Sequence, residues 1–183
     1  TITGGTVNDV INMNGTYTSA DTINGGLGSD RMTLTNAEAI AATTAQTKVT
    51  NVETIGLFDG AQGTISIANF NATGLRFGLA TANTTTLNYA AGANNSLDLQ
   101  NFVGNGFAHN INIAGTTDGD VLAMTVGSAV TGNTFGTSVM TFNEVETINL
   151  TTQGTASTFA GAFTMTNTAN SQVLNILGNQ NII

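Results

Sequence analysis

The chain has 183 residues, of which 40% are apolar and 8% are charged, and it contains no Pro, Cys or Trp. Its net charge of −8, with only 3 basic residues, argues against nucleic acid and anionic membranes as partners. No apolar run approaches the roughly 18 residues that a bilayer-spanning helix needs, so we expect no membrane insertion.

The first predicted element is a tight turn that leads into a strand. Residues 25–33 read GGLGSDRMT and match the nonapeptide G-G-x-G-x-D-x-U-x at every fixed position, where U is a large apolar residue. Glycines let the backbone turn with φ above zero so that peptide carbonyls converge, and Asp30 adds a hard, charged oxygen. This combination is typical of a calcium-binding turn.

Two degenerate copies of the nonapeptide precede the intact one. Residues 4–12 read GGTVNDVIN, with Val7 in place of a glycine, and Asp21 lies one period before Asp30. Calcium prefers about six to eight oxygens, so stacked turns must share each ion. We therefore expect residues 1–35 to form calcium-binding turns, although the longer gap between Asp9 and Asp21 breaks the period.

The next predicted element is a helix over residues 36–48, which are rich in Ala. Its helical pattern is weak. We expect a loop or one short helix that covers the end of the calcium-binding turns.

Beyond this point the chain alternates apolar and polar residues in short segments. The pattern predicts strands at 64–67, 75–79, 86–89, 97–99 and 110–113. Their regular spacing, together with turn-forming Gly and Asn, favours an all-β fold: a parallel β-solenoid of the β-roll or β-helix kind, with Asn side chains hydrogen-bonded in ladders between coils. The Asn-Gly and Asp-Gly pairs at 14–15, 24–25, 59–60 and 118–119 leave an antiparallel β-sandwich as the alternative.

A longer repeat divides the body into two modules. NVETIGL at 51–57 returns as EVETINL at 144–150, and each follows an acidic turn and strand. We expect modules at 36–114 and 115–183 that continue, with residues 1–35, as one structural unit. Four acids head strands on the inward-facing parity: Asp30, Glu53, Asp120 and Glu146. Because a bare inward carboxylate is costly, either each sits at a corner and binds metal or backbone N–H groups, or the strand bends before it.

Catalytic chemistry has few residues to work with. His109 is the only histidine, so no histidine metal cluster and no pair of histidine acid and base can form, and we expect it at the surface or a corner. A carboxylate pair such as Asp118 and Asp120 could in principle cleave glycosides, but few aromatic residues are available to flank a sugar. We predict that the chain is not an enzyme.

The intact nonapeptide and the VETI segments resemble bacterial RTX-type proteins, especially the calcium-dependent surface-layer proteins of Gram-negative bacteria. The resemblance implies a β-solenoid body, type I export and tiling into an extracellular lattice. It also implies that Asp30 binds Ca²⁺ with the backbone of Gly26 and Gly28, followed by Asp21 and Asp9. The other candidate calcium ligands are Asp118, Asp120, Glu53 and Glu146.

The leading hypothesis is therefore a structural protein at the bacterial cell surface or in the extracellular matrix, self-assembling into a layer or fibre. The alternative is a ligand-binding segment of a large secreted adhesin that holds cell-surface polysaccharide; a third reading is the calcium domain of a secreted enzyme. Residues 1–5 and 174–183 continue one pattern without a polar cap. We expect head-to-tail stacking through these ends, or excision of the chain from a longer array.

Overall fold

The protein is a parallel β-solenoid, as the alternating segments predict. The computed structural model describes residues 1–13, 15–77, 84–92, 94–100, 107–115, 119–128, 135–168, 171–178 and 180. Every strand pairing within these ranges is parallel, which excludes the antiparallel β-sandwich. The pairs at 24–25 and 59–60 therefore do not close hairpins, and the pairs at 14–15 and 118–119 include Asn14 and Asp118, which lie outside the described residues.

In the described ranges, the strands form three parallel sheets. The odd-numbered strands belong to two of them: β1 Ile2–Thr3, β3 Ile23–Asn24, β5 Val49–Thr50, β7 Gly63–Ser66, β9 Thr85–Tyr89, β11 Ala108–Ile113, β13 Val139–Asn143 and β15 Phe163–Thr166. The even-numbered strands belong to the third: β2 Val10–Asn12, β4 Arg31–Leu34, β6 Thr54–Leu57, β8 Gly74–Phe77, β10 Asn95–Leu99, β12 Val121–Val126, β14 Thr147–Thr152 and β16 Val173–Gly178.

The even strands build one continuous sheet of eight within the described residues. Side chains along them alternate between buried and partly exposed, as in β10 and β14. Apolar residues stack in register from coil to coil, with partners about 20 to 27 residues apart in the chain. One such ladder consists of Met32, Ile55, Leu75, Leu97, Met124 and Leu150. The sheet continues across residues 35–36 and 114–115, since β4 pairs with β6 and β10 with β12.

Asn ladders run along the outside of the solenoid, as the composition predicts. Asn112 donates from Nδ2 to Asn88 Oδ1 at 2.9 Å, and Asn143 donates to Asn112 Oδ1 at 2.6 Å. A shorter ladder joins Asn175 to Asn149 at 2.8 Å. Because these residues also pair in backbone register, each amide satisfies its neighbour in the next coil.

The odd strands form two separate sheets, β1-β3-β5 and β15-β13-β11-β9-β7. A single α-helix in the described ranges, α1 Asn36–Ala41, lies beside β7. A Cβ placed on Gly63 of β7 would lie 3.2 Å from Ile40 Cδ1, so the helix packs closely on that strand. It covers an edge strand, which would otherwise present unpaired backbone groups.

The helix is shorter than the predicted 36–48 and begins with a capping box. Thr35 Oγ1 accepts the Glu38 N–H at 3.3 Å, and Glu38 Oε2 accepts the Thr35 N–H at 2.7 Å. The helix ends at Ala41, and a 3-10 helix, Ile67–Phe70, follows β7. In the described part of the chain, no helix has the length and apolar character to cross a bilayer.

His109 is buried, so the expectation of a surface or corner position is wrong. Strand β11 begins at Ala108, which places His109 on the same inward parity as Ile111 and Ile113. Its Nδ1 lies 2.7 Å from Thr85 Oγ1 in the neighbouring strand. Burial among apolar side chains lowers the pKa of His109 to about 4, so the imidazole is neutral at physiological pH.

Candidate metal centre

The acids that head the first even strands stack in neighbouring coils. The Asp9 N–H donates to Asp30 Oδ1 at 2.7 Å, and the Asp30 N–H donates to Glu53 Oε2 at 2.7 Å. A carboxylate is a stronger acceptor than a peptide carbonyl, so each acid fixes the backbone of the coil before it. We call Asp30, Glu53 and the turn at 25–30 the Asp30 corner.

An equivalent arrangement recurs further along the same sheet. The Asp120 N–H donates to Glu146 Oε2 at 2.7 Å, and Asp120 Oδ1 accepts the Gly92 N–H. Glu146 also accepts a hydrogen bond from the Asn167 side chain. We call Asp120, Glu146 and their turns the Asp120 corner.

The backbone of the two corners is also alike. Asn51 and Glu144, two residues before each Glu, adopt left-handed φ values of 51° and 54°. Val52 and Val145 follow them into the core. The Asp30 carbonyl accepts the N–H groups of both Glu53 and Thr54 at 3.1 and 3.0 Å, and the Asp120 carbonyl is shared in the same way. The VETI repeat is thus a corner motif of the solenoid.

Sequence reasoning left open whether these inward acids bind metal or backbone N–H groups. The structure gives all four a backbone partner. Which N–H each Glu accepts was not predicted, because it depends on which N–H of the preceding coil lies opposite each side chain. The repeated spacing of Glu53 from Asp30 and of Glu146 from Asp120 was the available signal.

One carboxylate oxygen in each corner has no hydrogen-bond partner. Asp30 is 1% exposed and Asp120 is 3% exposed, and Oδ2 of each is buried and unpaired. A buried anionic oxygen without a partner is costly unless a cation or a proton compensates it. Asp98 Oδ1 is also buried and unpaired, but the other oxygen of that carboxylate already pairs with Arg76. A cation would therefore compensate a carboxylate without an ion pair at Asp30 and at Asp120.

The glycine turn distinguishes the Asp30 corner. Gly26 and Gly28 have φ values of 101° and 131°, in the left-handed region that the nonapeptide predicts. A Cβ on Gly25 would lie 2.6 Å from Asp30 Oδ2 and 1.8 Å from the Asn51 carbonyl oxygen. Only glycine lets these oxygens from adjacent coils approach the same backbone position.

The first degenerate turn stacks directly on this one. A Cβ on Gly26 would lie 2.2 Å from the Gly5 carbonyl oxygen, and the Leu27 N–H donates to that oxygen at 3.0 Å. Within the degenerate turn, Asp9 Oδ2 accepts the Gly5 N–H at 2.7 Å. Turns 4–9 and 25–30 are thus neighbours, as calcium sharing would require.

The remaining predicted ligands are not brought to this place. Asp21 precedes β3, which belongs to a different sheet from β4 and β6. It accepts hydrogen bonds from the Thr18 N–H and hydroxyl, and these hydrogen bonds lower the pKa of Asp21. Asp118 lies outside the described residues. Among the residues that the structure describes, no three His, Asp or Glu side chains form a group that could hold a metal ion.

Comparison with known proteins gave no family to which the chain can be assigned: no family description, curated protein or solved structure matches it.

The donor set of the Asp30 corner is of the kind that hard cations such as Ca²⁺, Mg²⁺ and Mn²⁺ prefer. Its available atoms are carboxylate and peptide oxygens, which hard cations prefer, and the chain has no Cys and a single, buried His. One unpaired carboxylate oxygen with peptide oxygens and water suits a weak site, since the other carboxylate oxygens nearby already accept N–H groups.

Proposed function

We propose that the chain is a structural, extracellular protein of the bacterial surface, stabilised by calcium at the Asp30 corner and self-assembling into a layer or fibre. The observation that carries the calcium part is Asp30 Oδ2, which is buried and unpaired beside a turn of glycines. In this proposal the ion supplies the positive charge that the buried carboxylate lacks.

The likeness of 25–33 to RTX nonapeptides supports the extracellular location. A site with one free carboxylate oxygen is expected to bind on the order of 10⁻⁴ to 10⁻³ M, which fills outside cells and stays empty in the cytosol. Such a site adds stability to the folded protein once the chain reaches the calcium outside the cell.

Exposed apolar side chains on β16 support self-assembly. Leu174, Ile176 and Leu177 are 41%, 61% and 50% exposed, and β16 is the last strand of the described sheet. An edge strand with apolar side chains is a surface on which a further coil can pack. In the proposal that coil belongs to a second copy of the chain.

The calcium part is tested by thermal unfolding, followed by circular dichroism, of the wild type and of Asp30→Asn. At 10 mM calcium the wild type should gain about 1.4 to 2.7 kcal/mol. Asn keeps an oxygen for the Asp9 N–H and removes the unpaired charge, so the variant should match or exceed the wild type in chelator and gain nothing from calcium.

Glu144→Gln is the matched control, since it removes one half-buried negative charge whose side-chain hydrogen bonds come from Thr168 and not from the backbone of Asp30 or Asp120. It should keep the full calcium response. A wild type whose melting temperature is the same in calcium and in chelator would refute the calcium part.

Assembly is tested by light scattering and negative-stain imaging of Ile176→Lys, with Val139→Lys as a control on the outward face of β13. The first variant should remain monomeric in calcium, and the second should assemble. Undiminished assembly of Ile176→Lys would show that copies associate through another surface, and wild-type particles of monomer size would refute assembly itself.

A further inference from the structure

Two of the three basic residues of the chain meet on the outer face of the long sheet. Arg31 lies in β4 and Arg76 in β8, and Gly56 of β6 lies between them. Gly56 pairs in register with Arg76, and a Cβ placed on it would lie 3.1 Å from Arg31 Cδ. Because Gly56 has no side chain, the two guanidinium groups border an open floor.

The two arginines differ in their partners. Arg76 forms an ion pair with Asp98 at 3.4 Å and donates to Gln100 Oε1, while Gln100 donates to Asp98 at 3.1 Å. The Arg31 guanidinium has no hydrogen bond or ion pair within the described residues, although the charge of Asp98 also acts on it. Partial burial, and then the nearby positive charge of Arg76, lower the pKa of Arg31. One guanidinium is thus held in place, and the other is free to bind.

Two surface depressions share these arginines. One, of about 290 Å³, is floored by Gly56 and bordered by Phe58, whose side chain is 67% exposed. The other, of about 370 Å³, is lined by polar side chains that include Thr54, Ser96 and Gln153. Together they offer one aromatic face, two cations and a row of hydroxyl and amide groups.

The charges at this place suit a monoanion. Asp98 forms an ion pair with Arg76 and its charge also acts on Arg31, so the three groups together leave one positive charge. A guanidinium binds a carboxylate through two parallel hydrogen bonds, and a sugar ring packs its C–H face on an exposed aromatic ring. The neighbouring hydroxyl and amide groups are of the kind that bind sugar hydroxyls.

We propose that this surface binds a saccharide containing a uronic acid, with the carboxylate between Arg31 and Arg76 and the sugar ring against Phe58. The site depends neither on calcium nor on assembly, because Arg31 faces outward from the sheet and Asp30 faces inward. The proposed partner is thus an acidic glycan, which binds at a local positive charge on a chain whose net charge is −8.

Isothermal titration calorimetry tests the proposal with trigalacturonate, its methyl ester, tetraglutamate and inorganic phosphate, in calcium and in chelator. Trigalacturonate should bind in both buffers, and each of the other three should bind at least roughly tenfold more weakly. Equal binding of the methyl ester would overturn the role of the carboxylate. Equal binding of tetraglutamate would overturn the sugar and indicate an acidic protein segment, and equal binding of phosphate would indicate a general anion site.

Arg31→Gln and Lys48→Gln form a matched pair, since each removes one positive charge. Lys48 precedes β5, outside the long sheet, and its Nζ donates to the Ala20 carbonyl. Arg31→Gln should weaken trigalacturonate binding at least roughly tenfold, and Lys48→Gln should leave it unchanged. Phe58→Ala, at an exposed side chain that the fold does not need, should also weaken binding. Equal effects of Arg31→Gln and Lys48→Gln would reduce the site to a net-charge effect and refute the proposal.

Discussion

The Asp30 and Asp120 corners share their hydrogen bonds but differ in their glycines. In both, an Asp N–H donates to a Glu of the next coil at 2.7 Å, and one Asp oxygen is buried without a partner. At the Asp30 corner the glycines pack against peptide oxygens of adjacent turns. At the Asp120 corner a Cβ on Gly92 or Gly119 would meet nothing within 4 Å.

The comparison distinguishes the hydrogen bonds that stabilise the solenoid from the oxygen atoms that could bind a metal. The carboxylate to N–H bonds occur at both corners, so they belong to the fold. The free carboxylate oxygen of Asp30 and the Asn51 peptide oxygen approach the same glycine, Gly25. Gly92 and Gly119 show no such approach in the described part of the Asp120 corner, which excludes residues 116–118, so in our account calcium acts at the Asp30 corner. An inward acid at the head of a strand is therefore not by itself a metal ligand.

The largest expected effect comes from the core beneath each corner. Ile55 and Ile148 are equivalent and fully buried, so truncation to Ala should cost about 2 to 5 kcal/mol in urea unfolding. Ile55→Ala should cost more, because its ladder neighbours Met32 and Leu75 are buried, whereas Leu174 beside Ile148 is 41% exposed. Costs below about 1 kcal/mol at both positions would show that the ladders are not the core.

The next largest effect concerns the dependence of stability on pH, and it comes from His109 in β11. The pKa of His109 is about 4 in the folded protein, below its ordinary value of 6.5, so the unfolded chain binds more protons between these values. This contribution to stability is present above pH 6.5 and falls as the pH approaches 4, by about 2 to 3 kcal/mol. The groups packed around the ring are Thr85 and apolar side chains.

His109→Gln should remove this part of the acid sensitivity. Chemical unfolding of both proteins at a series of pH values measures the difference, and subtraction cancels the carboxylates that titrate in the same range. Parallel stability curves for the two proteins would contradict the buried, neutral imidazole.

Some of this structure could be predicted from the sequence, and some could not. The alternation around Met32 and Leu34 predicts β4, and the Asn content predicts the ladder through Asn112. The burial of His109 was missed because the clear alternation begins at Asn110, while the strand begins two residues earlier. Contacts between coils depend on coil length, which varies, so no local pattern predicts that Glu53 lies opposite the Asp30 N–H.

The smallest expected effect compares the contributions of Glu53 and Glu146 to the free energy of unfolding. Glu53→Ala and Glu146→Ala each leave an Asp N–H without its acceptor, at a cost of about 1 to 3 kcal/mol. Glu146→Ala should cost more, because Glu146 is 7% exposed and also accepts from Asn167. Glu53→Gln and Glu146→Gln keep an oxygen acceptor and should stay within about 0.5 kcal/mol of the wild type in urea unfolding. Equal losses for Ala and Gln would mean that charge, rather than the hydrogen bond, is what each Glu contributes.

The central claim is that calcium acts at the Asp30 corner and not at the Asp120 corner, which has equivalent hydrogen bonds. The most direct measurement is the change in melting temperature between chelator and 10 mM calcium for Asp30→Asn and Asp120→Asn side by side. Our account predicts that Asp30→Asn loses the calcium response and that Asp120→Asn keeps it in full. Loss of the response in Asp120→Asn alone, or in both variants equally, would contradict the claim that the glycine turn decides where calcium binds.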